Sequence, residues 1–424
     1  MVLLVCVVIG AFLLVLVYML PTDEMKENVA RSHNMYDYEG TYPEVIDGYK
    51  SYQLDNNTDG LMLLQAVFPG NDDAFRNSLL NPYYVDDVNN SMQQVLNDYA
   101  NDVNRSRGIV YYSRYWHGYL LYLKPLLLFF DIGDIRVINT ILQLALIMIL
   151  FYLMISRGYK NYLIPLFCGL IVISPTITGL SFQYTAVFYI MLLGMIFMLT
   201  RKYSFLKKGD YLYYFVLIGI ATSFMDFLTY PIVTLGMPLC VYLIIDKTPS
   251  VRKRIAHEIK LIIAWAFGYY GMWASKWIVA YVFTGEKVIQ DAIQETNKLT
   301  SNTDGANNLF SLPYRISAII KIIGVLCRWP YVLLFTASMC FIVFRIARKS
   351  GRKHILTSIN RSNLFYMLAT CLPYLIIALL PLVQAILMPT HTEYHYWFTY
   401  KNLAVTVFSL LAWISELGES KCLK

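Results

Sequence analysis

The chain has 424 residues, of which 57% are hydrophobic and only 15% charged. That balance excludes an ordinary soluble domain and points to a polytopic membrane protein. The net charge of +7 sits mostly in short Lys/Arg-rich loops between apolar runs, a topology signal rather than a nucleic-acid surface.

Residues 2–20 are almost wholly apolar and about long enough to cross a bilayer. The following Pro21-Thr22-Asp23-Glu24 lacks a small-x-small cleavage pattern, so 1–20 is expected to be an uncleaved signal anchor. Its N-terminus is expected on the cytoplasmic side.

A long polar loop, 21–134, comes next and is expected outside the cytoplasm. Its tyrosines, Asp/Asn pairs and Gly/Pro breakers suggest ordered short helices. One starts at Leu61, with Asn57, Thr58 or Asp59 as N-cap. Residues 84–104 read as a second, more polar helix. Tyr119–Phe130 is apolar but too short to span, and Lys124-Pro125 interrupts it. It is expected to lie on the outer surface, ended by Asp131-Ile132-Gly133-Asp134, with Arg136 opening the next run. The sequons at Asn56, Asn89 and Asn104 fall in this loop.

Residues 135–424 read as a transmembrane bundle with short loops. Spans are expected at 137–156, 161–180, 183–200, 211–229, 231–246, 261–283, 329–347, 364–388 and 402–415, about ten with the first. Basic clusters at Arg157/Lys160, Arg201/Lys202/Lys207/Lys208, Lys247/Arg252/Lys253/Arg254 and Arg345–Arg361 then share the cytoplasmic side. The loops 284–315 and 389–401 fall outside, and 308–326 reads as a second surface helix. The fold class is therefore all-α, polytopic, with juxtamembrane helices in the first outer loop. Of seven cysteines, none lies in the long loop, which gives no disulfide framework or CxxC metal site.

The outer face collects the residues able to do chemistry. Asp59 is the best general-base candidate, because an ionised carboxylate at a helix start is favoured by the helix dipole. Asp55 lies near it. An ordinary N-cap is the competing reading. Arg114, Trp116 and His117 close the loop, and Asp226 stands at the outer end of a span. Lys276 is an ionisable residue inside an apolar span, expected to find Asp226, another acid or a ligand phosphate, or else to snorkel. His391 and His395 share a helix face, and Lys401 follows in the same loop. Without an HExxH or Cys/His group, phosphate contact suits these residues better than a metal. An aromatic belt is the structural alternative.

The order of these features resembles the GT-C superfamily of polytopic glycosyltransferases. An N-terminal span precedes an acidic residue opening a short helix, here Thr58-Asp59-Gly60-Leu61-Met62-Leu63-Leu64-Gln65-Ala66. An aromatic/His motif follows, Tyr115-Trp116-His117-Gly118-Tyr119, then a short amphipathic helix closed by Gly133 and Arg136. The likeness covers about 1–200 by motif order and the remainder by hydropathy. The chain departs from the pattern in carrying His117-Gly118-Tyr119 in place of His-Pro-Pro, Gly60 after Asp59 in place of a paired acid, and no large soluble C-terminal domain.

The resemblance implies inverting transfer of one sugar from a polyprenyl-phosphate donor to an acceptor outside the cytoplasm. Asp59 would be the base. Lys276, His391, His395, Lys401 and Arg114 would meet the donor phosphate, and His117, Trp116, Asp226 and Asp55 would complete the pocket. Membrane lipids and a glycan or lipid acceptor are the implied partners, with no nucleic acid and no cofactor; a divalent metal is not indicated. Richness in Lys, Ile, Tyr and Asn suggests an AT-rich bacterial genome and a cell-envelope polysaccharide. A transporter or flippase of lipid-linked saccharides is the alternative, although no second copy of the long loop is visible. A non-catalytic membrane scaffold is a third reading.

Overall fold

A computed structural model describes residues 1–70, 73–88, 91–200, 210–246, 248–300, 312–350 and 361–418. Asn89, Arg201, Lys202, Lys207, Lys208 and Lys247, named above, lie outside the described residues, as do residues 351–360 of the last basic cluster and part of the loop 284–315.

The chain is predominantly helical. The first apolar run is α1 (Val2–Tyr18), followed by α2 (Asp23–Arg31) across a 77° bend. The long loop then folds as α3 (His33–Glu39), α4 (Asn56–Val67), α5 (Ala74–Leu80), β1 (Pro82–Val85), α6 (Met92–Ala100), β2 (Gly108–Tyr111) and α7 (Leu120–Leu127). The apolar bundle is α8 (Ile132–Ser156), α9 (Leu163–Ile173), α10 (Pro175–Thr178), α11 (Phe182–Thr200), α12 (Asp210–Met225), α13 (Ile232–Ile245) and α14 (Val251–Thr284). It continues as α15 (Val288–Thr300), α16 (Leu312–Leu326), α17 (Trp329–Ser350), α18 (Arg361–Leu387), α19 (Pro389–Tyr394), α20 (Tyr396–Thr399) and α21 (Leu403–Leu417).

Two expectations change and the count of spans is met only in part. Strictly all-α is wrong, because β1 and β2 pair antiparallel with Pro82 opposite Tyr111 and Val85 opposite Gly108. The polar helix expected at 84–104 is instead a strand end followed by α6. Of the ten expected spans, four described helices are long and apolar enough to cross a membrane, Ile132–Ser156, Phe182–Thr200, Trp329–Arg348 and Met367–Leu387; the bent pair makes five. The expected span 161–180 is broken, with Ser174 in the left-handed region between α9 and α10.

The short helix α7 does not continue into α8; Asp131 intervenes, and its carboxylate caps α8 by accepting from the Asp134 amide at 2.9 Å. Two large apolar cores and two small clusters form among the described residues. One joins α9, α11, α13 and α21. The other packs the loop helices α2, α4, α6 and α7 against α1, with Phe224 of α12 and Met272 of α14 reaching into it. Helices α12 and α14 touch backbone to backbone at Gly219 and Gly268. A Cβ on Gly268 would stand 2.2 Å from the Val216 carbonyl oxygen, and one on Gly219 2.2 Å from that of Trp265.

Candidate functional site

Asp55, rather than Asn57, Thr58 or Asp59, caps α4. Its carboxylate accepts from the Thr58 amide at 2.9 Å, and the helix starts at Asn56, five residues before Leu61. Asp59 therefore lies inside the first turn and points at another helix. Its Oδ1 accepts from Ser181 Oγ and the Gln183 amide, both at 3.0 Å, and its Oδ2 accepts from the Phe182 amide at 3.1 Å. A carboxylate of α4 thus satisfies the N-terminus of α11. Asp59 is 0% exposed. Burial pushes its carboxyl up to about 7, against the pull of Arg136 and the hydrogen bonds. Asp55 is likewise pushed up by burial to about 6.

Around Asp59 runs a buried polar network. Arg136 donates to Glu39 at 2.7 Å and to Asn56 Oδ1 at 3.1 Å, and Asn56 Nδ2 donates to Glu39 at 2.9 Å. Asn56 is fully buried, so its sequon is closed to modification in this fold. Gly60 explains the departure from a paired acid: a Cβ there would stand 2.5 Å from the Gln93 amide nitrogen of α6.

A cavity of about 170 Å³ opens beside this network. It is built from Thr58 and Leu61 of α4, Tyr112, Arg114 and Tyr115 before α7, and Gln183 of α11. Phe227, Glu295 and Leu299 of α15, and His391, His395 and Phe398 complete it. Of the ten residues singled out from sequence, Arg114, His391 and His395 line this space; Asp59 stands behind its wall, between Thr58 and Gln183.

The lining is nearly neutral. Burial drives His391 down to about 3 and His395 to about 4, so both imidazoles are uncharged at neutral pH. His391 Nε2 donates to the Leu228 carbonyl at 2.8 Å. Arg114 is paired with Asp291 of α15 at 2.8 Å and lies 4.8 Å over the Tyr112 ring. Three buried polar atoms on the lining residues, Arg114 Nε, Gln183 Oε1 and His395 Nδ1, have no protein partner. Gln183 is 5% exposed. Among the described residues no three His, Cys, Asp or Glu side chains converge as metal ligands.

The other residues are held elsewhere. Lys276 does not meet Asp226: its ammonium donates to Asn81 Oδ1 at 2.8 Å and the Ser78 carbonyl at 3.3 Å, over the Trp116 ring. Asp226 closes its own turn, accepting from the Leu228 and Thr229 amides at 3.1 and 3.0 Å. Lys401 is buried against the Ile173 carbonyl at 2.8 Å. Trp116 donates to the Met272 carbonyl at 2.7 Å, while Trp273 and Trp277 both donate to the Arg114 carbonyl at 3.0 Å. His117, at a positive φ of 55°, sits between the Tyr112 carbonyl at 2.7 Å and the Tyr119 hydroxyl at 2.9 Å. Burial pushes it down to about 3. Its neutral ring braces the loop that presents Tyr112, Arg114 and Tyr115.

Sequence reasoning missed Thr58, Gln183 and Glu295. Gln183 carried a usable signal, a primary amide at the very start of an apolar run. Glu295 carried none, since its helix looks like any polar surface helix. No protein-family model, curated protein or solved structure matches the chain.

Proposed function

We propose that the protein is a membrane glycosyltransferase of GT-C type. It moves one sugar from a polyprenyl-phosphate donor to a cell-envelope glycan or lipid acceptor on the extracytoplasmic side, with inversion. The observation that carries this reading is the cavity between the first loop and the segment 389–399. It is walled by aromatic rings, and three buried polar atoms, Arg114 Nε, Gln183 Oε1 and His395 Nδ1, have no protein partner. Such atoms call for a hydroxyl-bearing ligand, because a buried polar group without a partner is costly. Aromatic faces with a few fixed polar groups suit a sugar ring. A nearly neutral lining suits the sugar better than the donor phosphate.

In this reading the acceptor oxygen attacks the anomeric carbon and the bond from that carbon to the phosphate oxygen breaks. Polyprenyl phosphate leaves, and the hydroxyl proton passes to neutral His395 at Nδ1. Arg114 is the cation nearest the developing phosphate charge. Asp59 holds Thr58 and Gln183 together across the cavity and is a positioning residue. Lys276 and Lys401 do not line this cavity and are held by Asn81 and by the Ile173 carbonyl.

The test is transfer from a panel of radiolabelled polyprenyl-phosphate sugars by purified protein in lipid vesicles. His395→Gln should lower kcat by roughly 10²-fold or more with little change in KM. A wild-type protein that moves the labelled lipid across the bilayer without releasing polyprenyl phosphate would replace this reading by the flippase one.

A further inference from the structure

Glu258 lies on α14 one turn before the apolar stretch 261–283, far from the cavity. It is fifteen residues from Trp273, about 22 Å along the helix axis. It is 0% exposed, and both its carboxylate oxygens are buried without a hydrogen-bond partner. The nearest cation on its own helix, Arg254, is committed elsewhere. Arg254 Nη1 donates to Glu416 Oε1 at 3.0 Å, and Nη2 to Glu416 Oε2 at 3.4 Å and the Leu243 carbonyl at 3.3 Å. Tyr374 of α18 donates to the same Glu416 carboxylate, and the guanidinium lies 5.8 Å from its ring centroid.

The charge count is the argument. Glu258 and Glu416 are the two carboxylates beside Arg254, and only Glu416, 28% exposed, is hydrogen-bonded to it. Were both ionised, one negative charge would stay uncompensated and without hydrogen bonds, an arrangement proteins relieve by taking up a positive charge. Beside it stand His257 on the same helix, its ring 5.5 Å from that of Tyr242 on α13, then Tyr211 of α12, whose ring meets Tyr242, and Cys240 of α13. Among the described residues no side chain hydrogen-bonds or ion-pairs with Glu258, and no cluster of metal-ligand type forms. Burial pushes the Glu258 carboxyl up to about 9, opposed by Arg254.

We propose that Glu258 is a proton-binding site at the end of the bundle away from the cavity. The proton it binds neutralises the second carboxylate while Arg254 stays locked to Glu416. Uptake is a simple protonation, one proton from the adjoining aqueous phase forming the O–H bond of the Glu258 carboxylic acid. Release requires the ends of α13, α14 and α21 to part, since Glu258 is 0% exposed. The site is independent of the sugar-transfer reading.

The experiment is infrared spectroscopy of the purified full-length protein in vesicles, in the C=O stretching region of protonated carboxylic acids. At neutral pH the wild-type minus Glu258→Gln difference should contain one acid band that shifts in D₂O. Glu416→Gln frees Arg254 to pair with Glu258, so the same band should vanish there with Glu258 unaltered. The melting temperature of Glu258→Gln, a neutral isostere of the protonated acid, should equal that of wild type at neutral pH. A difference spectrum without an acid band would overturn the proposal. So would a wild-type melting temperature that rises in NaCl but not in choline chloride, with the rise lost in Glu258→Gln. That outcome would make the occupant an alkali cation.

Discussion

Asp59→Asn removes a buried charge while leaving the shape of the side chain almost unchanged. In the wild type, burial raises the carboxyl from 3.8 to about 7, a gap that corresponds to roughly 4 kcal/mol. The folded-state value lies above the unfolded one. The stabilisation tied to the protonated group is therefore complete below 3.8 and is lost as pH rises through about 7. The amide has no such loss, but its Nδ2 must face one of the donors at Ser181, Phe182 or Gln183, which costs about 1–3 kcal/mol at every pH. The variant should thus melt below the wild type in acid and gain on it steadily as pH rises. Melting curves of both proteins in one detergent across this range provide the assay. Taking the difference between the proteins cancels the contribution of Asp55, which also titrates upward at about 6. A difference that is flat, or that moves against the variant with rising pH, would refute the reasoning. It would mean that Arg136 and the three hydrogen bonds outweigh burial and keep Asp59 ionised.

Three further perturbations probe the frame around the cavity. Gly268→Ala should cost about 1–3 kcal/mol or prevent folding, because its Cβ would meet the Val216 carbonyl at 2.2 Å; thermal melting with retention of monodispersity reads this out. Arg136→Met leaves Glu39 and Asn56 without their buried donor and should lower stability by about 3–5 kcal/mol in denaturant titration. Lys124 is buried on α7 with its ammonium on the Ala66 carbonyl at 2.6 Å, and burial lowers it from 10.5 to about 7. Its stability contribution is present above 10.5 and lost as pH falls through about 7, so Lys124→Met should flatten the alkaline limb of the wild-type melting profile.

What could be read in the sequence was what short-range pattern determines. The apolar runs at 137–156, 183–200 and 329–347 fall on α8, α11 and α17, because run length and composition fix an apolar helix locally. The hairpin was not legible. Pro82–Val85 and Gly108–Tyr111 are four residues each, separated by α6, and no tight-turn signal joins them. The acidic residue was found, but its partners were not. Asp59 is bound by residues 181–183, more than a hundred positions away, and nothing local announces that contact. Lys276 was rightly marked as unusual, yet its partner is the amide of Asn81 rather than an acid. A buried lysine needs acceptors, and a carbonyl on a neighbouring segment serves as well as a carboxylate.

The 34-residue helix α14 bears Glu258 near its start, and its indoles Trp273 and Trp277 grip the Arg114 carbonyl at the cavity wall. A continuous hydrogen-bonded helix barely stretches along its axis. Any axial slip at the buried carboxylate is delivered to the Arg114 loop with its full stroke. The glycine contact with α12 makes that stroke common to two helices. The molecule thus contains a push-rod that joins the buried Glu258 carboxylate to the cavity wall.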